Sequence, residues 1–300
     1  MTPTWKTRLA QVFVNPEEGR LRAGWRLLAF VLLFGALQLL TGVALSLVLR
    51  QGFPAWLNAL TVGEALTALP LTASVVLARR WFDRRSFASL GLTWDRRAGH
   101  DLLFGVGLTG LLMGLIFLAE GAFGWLHLRG FAWDTMTAGQ VLGMLANALL
   151  LWVLVAWNEE LLFRGYLLTN LRDGMGTTWA VVLSSLLFAA AHVGNPHMGW
   201  PALLGLVLAG FFLADGWLTT GRLWLPLGLH LGWNLFEGTV FGFPVSGLTL
   251  PPLLVTDIHG PDLVTGGAFG PEAGLIIVPA LALGTWLMHR RARRGRSAAA

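Results

Sequence analysis

Eight apolar runs dominate the chain, at 27–49, 55–78, 102–119, 141–168, 178–194, 200–220, 223–240 and 273–289. They are read as crossings of a hydrocarbon layer about 30 Å thick, although the fifth and the last are short. Within lipid a backbone must satisfy its own hydrogen bonds, so such runs fold as helices. The expected fold class is all-α: a polytopic membrane protein of about eight transmembrane helices, with its core in spans four to seven. Hydrophobic residues reach 55% and charged residues only 12%, a balance unlike that of a soluble domain. Residues 1–300 are expected to form a single integral membrane domain. Within it, 1–24 is read as a cytoplasmic interfacial segment, 141–240 as the core and 290–300 as a basic cytoplasmic tail. Apolar and basic residues over 5–22 predict an interfacial helix. The Gly- and Pro-rich stretch 241–271 predicts a loop. No cleavable signal peptide is expected, because the first apolar run is too long and no small-residue cleavage site follows it. The 38 glycines suit close approach of helices in a membrane.

Basic residues set the orientation. Of the 21 Lys and Arg, 18 fall on one side: before span one, between spans two and three, after spans four and six, and after span eight. Arg50 and Arg129 lie opposite, and Arg164 is inside a span. The positive-inside rule then puts both termini in the cytoplasm, as expected of a multi-pass protein of the inner (plasma) membrane. The net charge of +5 sits at span ends, so the partner it implies is the lipid bilayer and not a nucleic acid. Trp25, Trp56, Trp81, Trp179, Trp200 and Trp224 fall near span ends, where aromatic belts form. The chain has no cysteine, which excludes disulfides and a thiol nucleophile.

Span four carries Asn158-Glu159-Glu160-Leu161-Leu162-Phe163-Arg164. Ionisable groups at membrane depth cost at least a few kcal/mol and are rarely there without a partner or a role. Glu160 and Arg164 are spaced i, i+4 in the favourable order for an ion pair. Glu159 is rotated about 100° away and has no such partner. Span five ends on Phe188-Ala-Ala-Ala-His192, and span seven carries His230-Leu-Gly-Trp-Asn234. Each pair shares a helix face. Taken singly, these are an ion-paired packing device, a histidine hydrogen-bonded between helices and a polar helix contact. Taken together, a free carboxylate, two histidines and an amide in three apolar spans require one polar cavity.

These residues resemble the CAAX-protease and bacteriocin-processing family of intramembrane endopeptidases, whose motifs are EExxxR, FxxxH and HxxxN. All three are present, in order, within about 145–240. The resemblance implies a peptide or protein substrate at the membrane. It implies Glu159 as the general base that activates water, His192 as a group holding that water, and His230 and Asn234 as donors to the oxyanion. Glu160, Arg164 and Phe188 would be supporting residues. No cofactor is expected to be required, although zinc held by Glu159, His192 and His230 is the competing reading, and the His-Glu-x-x-His helix of many zinc proteases is absent. Two other classes use the same residues: a catalytically silent scaffold or immunity protein, and a proton or solute transporter, although no paired repeat supports the latter.

Other intramembrane chemistries fit less well. Asp215 is the only plausible intramembrane aspartate and is read as a helix contact. Glu64 in span two is ambiguous in the same way. Pro244-Val-Ser246-Gly247 is a weak serine-type match in a loop outside the spans. His100, His127, His197, His259 and His289 are read as solvated. Counting about 1.5 Å per residue from the run ends puts His192 nearer the outer face than Glu159 or His230. A shared site therefore requires span four to be longer, or more tilted, than its apolar run.

Overall fold

The computed structural model describes residues 11–48 and 57–297. Lys6, Arg8, Arg50, Trp56 and the last three residues of the basic tail lie outside the described residues. Among the described residues the long helices are α1 (Ala23–Val48), α2 (Ala59–Trp81), α3 (Arg96–Ala122), α4 (Ala138–Glu160), α5 (Leu168–Ala191), α6 (Trp200–Thr220), α7 (Trp224–Asn234) and α8 (Ile277–Ser297). These follow the eight apolar runs. Among the described residues five helices are long and apolar enough to cross a membrane, the fourth of them being the continuous stretch Ala138–Ala191. The protein is an all-α, multi-pass membrane protein.

Local sequence explains the ends of these helices. Asn58 caps α2 by accepting from the Thr61 amide at 2.8 Å, and Asp95 caps α3 by accepting from Ala98 at 2.9 Å. Thr137 and Gln140 form a reciprocal capping box at the start of α4, which satisfies two amides that would otherwise lack partners. Gly221, at φ +65°, closes α6.

Two corrections concern the segments between helices. Of residues 5–22, expected to form a helix, 5–10 lie outside the described residues and 11–13 are helical, but Val14–Asn15 (β1) then pairs antiparallel with Arg20–Leu21 (β2) around a turn. Arg20 turns inward there to Asp173 and to the Asp83 carbonyl, and Gly19, at φ +61°, makes the turn. Residues 241–271 are not loop throughout. Leu254–Ile258 (β4) pairs antiparallel with Leu126–Phe131 (β3), tying the segment after α7 to the segment after α3.

Leu32, Leu39 and Leu40 of α1 are exposed and suit contact with lipid tails. The interior holds two large apolar clusters. One gathers Leu112, Phe188, Leu206, Phe212 and Leu229; the other gathers Phe30, Val75, Leu161, Tyr166 and Trp217. Backbone contact between α3 and α7 fixes the position of α7. A Cβ on Gly228 would lie 2.2 Å from the Leu102 carbonyl oxygen, and one on Gly232 would lie 2.3 Å from Thr109 Oγ1. Small residues allow this approach, and His230 rides on the helix between them.

Candidate active site

Glu159 is the penultimate residue of α4, and after Glu160 the chain continues directly into a π-helical stretch, Leu161–Leu167. α7 does the same after Asn234, with Leu235–Val240 π-helical. Such turns widen the helix and recur at functional sites. The stretch runs on into α5, which breaks at Gly176 (φ 80°, ψ 169°). Glu159 lies 17 residues before that break and His192 lies 16 residues after it. The two arms of this bend therefore bring Glu159 and His192 to the same level. Span four continues past residue 168 in polar sequence, which a hydropathy count cannot include.

The residues surround one cavity of about 350 Å³, lined by Glu159, His192, His230 and Asn234 together with apolar side chains. Nε2 of His192 lies 3.8 Å from Glu159 Oε2, and Nε2 of His230 lies 3.9 Å from the same oxygen. Both separations exceed hydrogen-bond distance. Glu159 Oε2 has no hydrogen-bond partner among the described residues. The Asn234 side chain is buried and faces the cavity.

Glu160 differs from its neighbour. Its Oε1 accepts from Arg164 Nη1 at 2.9 Å and lies 2.8 Å from His230 Nδ1. Both Glu160 and Arg164 are buried. The ion pair was legible from spacing, whereas the contact with His230, 70 residues away, was not. Glu160 can only accept, so His230 Nδ1 carries a proton, and Nε2 becomes a second donor when the ring is protonated. His192 is oriented differently. Its Nδ1 lies 2.9 Å from the Phe188 carbonyl oxygen, which also only accepts. A neutral His192 therefore presents Nε2 to Glu159 as an acceptor. The Phe188 ring meets Arg164 at 4.2 Å and His192 at 4.9 Å, so the FxxxH pair seats the guanidinium as well as the imidazole.

Sequence reasoning missed part of the lining. Glu64 reaches the cavity and accepts from Asn158 Nδ2 at 2.7 Å. Ser246, assigned to a loop away from the spans, also lines it, as do Asn195 and Glu272. The Ser246 amide and hydroxyl donate to Glu272 Oε2 at 2.7 and 2.6 Å, and Asn195 Nδ2 donates to the Ser246 carbonyl at 2.9 Å. These bonds hold Ser246 at φ +47°, a conformation that non-glycine residues adopt at a cost. Asp215 bonds His289 of α8 at 3.0 Å, outside this lining.

The zinc reading can be set against this geometry. Two imidazoles and a carboxylate are a donor set that zinc accepts, and the two Nε2 atoms lie 3.8 and 3.9 Å from one Glu159 oxygen. A metal on Glu159, His192 and His230 would leave Glu160 as the only motif carboxylate to act as base, and Glu160 is engaged by Arg164 and His230.

Residues 140–236 match the family model described as type II CAAX prenyl endopeptidase Rce1-like. Over this core the chain is similar to the type II CAAX prenyl endopeptidases. The match takes in α4 to α7, the helices that carry all three motifs, and leaves α1 to α3 and α8 outside it. No curated protein matches the chain.

Proposed function

We propose that the protein is an intramembrane endopeptidase that hydrolyses a peptide bond of a membrane-associated or lipidated protein. The observation that carries this reading is the contrast within one dipeptide: Glu160 is engaged by Arg164 and His230, while Glu159 faces the cavity with an unpartnered oxygen between two imidazoles. Glu159 takes a proton from water as the oxygen attacks the carbonyl carbon. His192 Nε2 accepts the second hydrogen of that water. The carbonyl becomes an oxyanion that accepts from protonated His230 Nε2 and from the Asn234 amide, and pre-aimed donors of this kind supply several kcal/mol. Glu159 then returns its proton to the departing amine nitrogen as the C–N bond breaks. Arg164 offsets the charge of Glu160, and Glu160 sets the ring of His230.

This chemistry does not need a tightly bound metal, because base and electrophile are both supplied by side chains. The test is cleavage of membrane proteins by the purified protein and by Glu159→Gln. The variant should lose activity by at least about 10²-fold, the scale of general-base catalysis, with its unfolding temperature unchanged. Full activity in Glu159→Gln removes the base. Stoichiometric zinc, with activity lost to a chelator and restored by zinc, replaces this mechanism with the metal one. A silent scaffold would bind partners and cleave none.

The basic residues favour both termini in the cytoplasm and the segment 241–271 outside. Reporter fusions at residue 300 and within 241–271 should report opposite sides of the membrane.

A further inference from the structure

A recess lies away from the catalytic cavity, where α3 begins and α8 ends. It holds about 830 Å³ and is lined by Arg97, His100 and Asp101 of α3, Arg222 between α6 and α7, and Arg291 of α8. Two acids serve these arginines. Asp95 accepts from Arg222 Nη1 and Nη2 at 3.1 and 2.7 Å, and Asp101 accepts from Arg291 Nη2 at 2.7 Å. Donors are left over. The Arg97 guanidinium makes no ion pair or hydrogen bond among the described residues. Arg222 Nε is buried without a hydrogen-bond partner, 3.8 Å from Asp101 Oδ2. Three arginines against two aspartates leave the lining positive, and Arg96 and Arg290 adjoin it in sequence.

The recess sits at headgroup depth. Trp94 and Trp224 meet edge to face at 4.8 Å beside it. Trp224 Nε1 and Arg222 Nη2 donate to the same Thr93 carbonyl oxygen, at 3.0 and 2.8 Å. Tryptophans gather at the membrane–water interface. Leu103, which lines the recess at the start of the apolar run of α3, is 71% exposed. Leu111, Leu115 and Leu118 continue that exposed face along the helix. The recess therefore opens onto the lipid-facing side of α3.

We propose that this recess binds the headgroup of an anionic phospholipid, with its phosphate accepting from Arg97, Arg222 and Arg291 and its acyl chains lying along α3. A guanidinium can give a phosphate two parallel hydrogen bonds, and basic recesses between membrane helices take such headgroups. A headgroup with its own ammonium matches less well, because the arginines repel it. One phosphate then joins α3, the α6–α7 turn and α8. Arg222 stands two residues before α7, so the lipid fastens the start of the helix that carries His230 and Asn234. The proposal is independent of the endopeptidase reading.

The test is native mass spectrometry of the full chain, released from micelles holding equal amounts of phosphatidylglycerol and phosphatidylcholine with the same acyl chains. Phosphatidylglycerol should be retained at least about fivefold in preference, the scale of one arginine beside an anionic headgroup. Arg97→Gln should weaken that retention about fivefold; Arg97 is exposed and unpaired, so the fold does not depend on it. Arg80→Gln removes an exposed arginine of α2 outside the recess and should change nothing. Equal retention of the two lipids overturns the proposal, as does wild-type retention in Arg97→Gln. An equal fall in Arg80→Gln means diffuse surface charge and overturns the site. Unfolding midpoints separate the lipid from a soluble anion. Phosphatidylglycerol should raise the midpoint of the wild type more than that of Arg97→Gln, and inorganic phosphate should raise it less than the lipid does. A rise with inorganic phosphate as large as with the lipid assigns the recess to a soluble anion and overturns the lipid.

Discussion

Two buried polar regions of this protein treat charge in opposite ways. Where α1, α2 and α5 meet, Asp83 lies between two arginines, 2.7 Å from Arg79 and 3.5 Å from Arg26. Asp173 beside it meets Arg20 and Arg85 at 3.0 Å and Arg26 at 3.3 Å. Asn170 also donates to Asp83. Each of these acids has arginine partners, and the cluster fastens the β1–β2 turn to three helices. In the cavity, Glu64 and Glu272 have only neutral donors, and Glu159 has two imidazoles beyond bonding distance. Glu160 stands at the boundary, an arginine on one side and His230 on the other. An acid neutralised within the fold serves the fold. An acid that faces the cavity without an arginine stays open to what enters it.

The largest expected effects test that division. Removing one partner of a buried ion pair costs about 3–5 kcal/mol, because the other charge is stranded. Asp83→Asn strands Arg26 and Arg79, and should lower the unfolding midpoint by an amount of that order while leaving turnover per folded molecule unchanged. Glu160→Gln should lose stability on the same scale and also lower turnover, because His230 loses the carboxylate that orients it. Detergent unfolding curves paired with activity per folded molecule check both. Reduced turnover in Asp83→Asn at unchanged stability would break the comparison. A smaller effect is expected from Gly232→Leu. Overpacking of this kind costs about 1–3 kcal/mol, and it would push α7 from α3, carrying His230 and Asn234 away from Glu159. Turnover should therefore fall further than stability. The smallest effect is expected at Asp95, which is exposed and pairs with Arg222 at 2.7 Å. Its carboxyl sits below the ordinary value, first through the Ala98 amide and then through Arg222. Any contribution is present at neutral pH and is lost as pH falls through the carboxyl range. Asp95→Asn keeps a capping acceptor, and the unfolding midpoint at pH 7 should not move measurably.

The helices and motifs were legible because both are local. Hydrophobic runs need only their own residues to be recognised, and i, i+4 spacing places Glu160 against Arg164 and His230 near Asn234 on a helix that has not yet been packed. The β3–β4 pairing joins residues more than 120 positions apart. Ser246 and Glu272 could not be found from their neighbours, because the fold of the intervening segment brings them to the cavity wall. The bond between Glu160 and His230 is invisible for the same reason. Asp215 and His289 were each read alone, yet they bond across α6 and α8. His192 was placed at the wrong depth because hydropathy ended span four early and the Gly176 break carries no apolar signature.

The two π-helical stretches have a consequence for how this membrane face is mapped. A π turn holds more residues than an α turn, so side chains beyond it point in a direction shifted from the one a regular wheel assigns. The shift is of the order of one residue, about 100°. An accessibility stripe traced by labelling single introduced cysteines along α4 should therefore lose phase across Leu161–Leu167 and regain a regular period only in α5. The lipid-facing side before residue 161 is no guide to the lipid-facing side after residue 167.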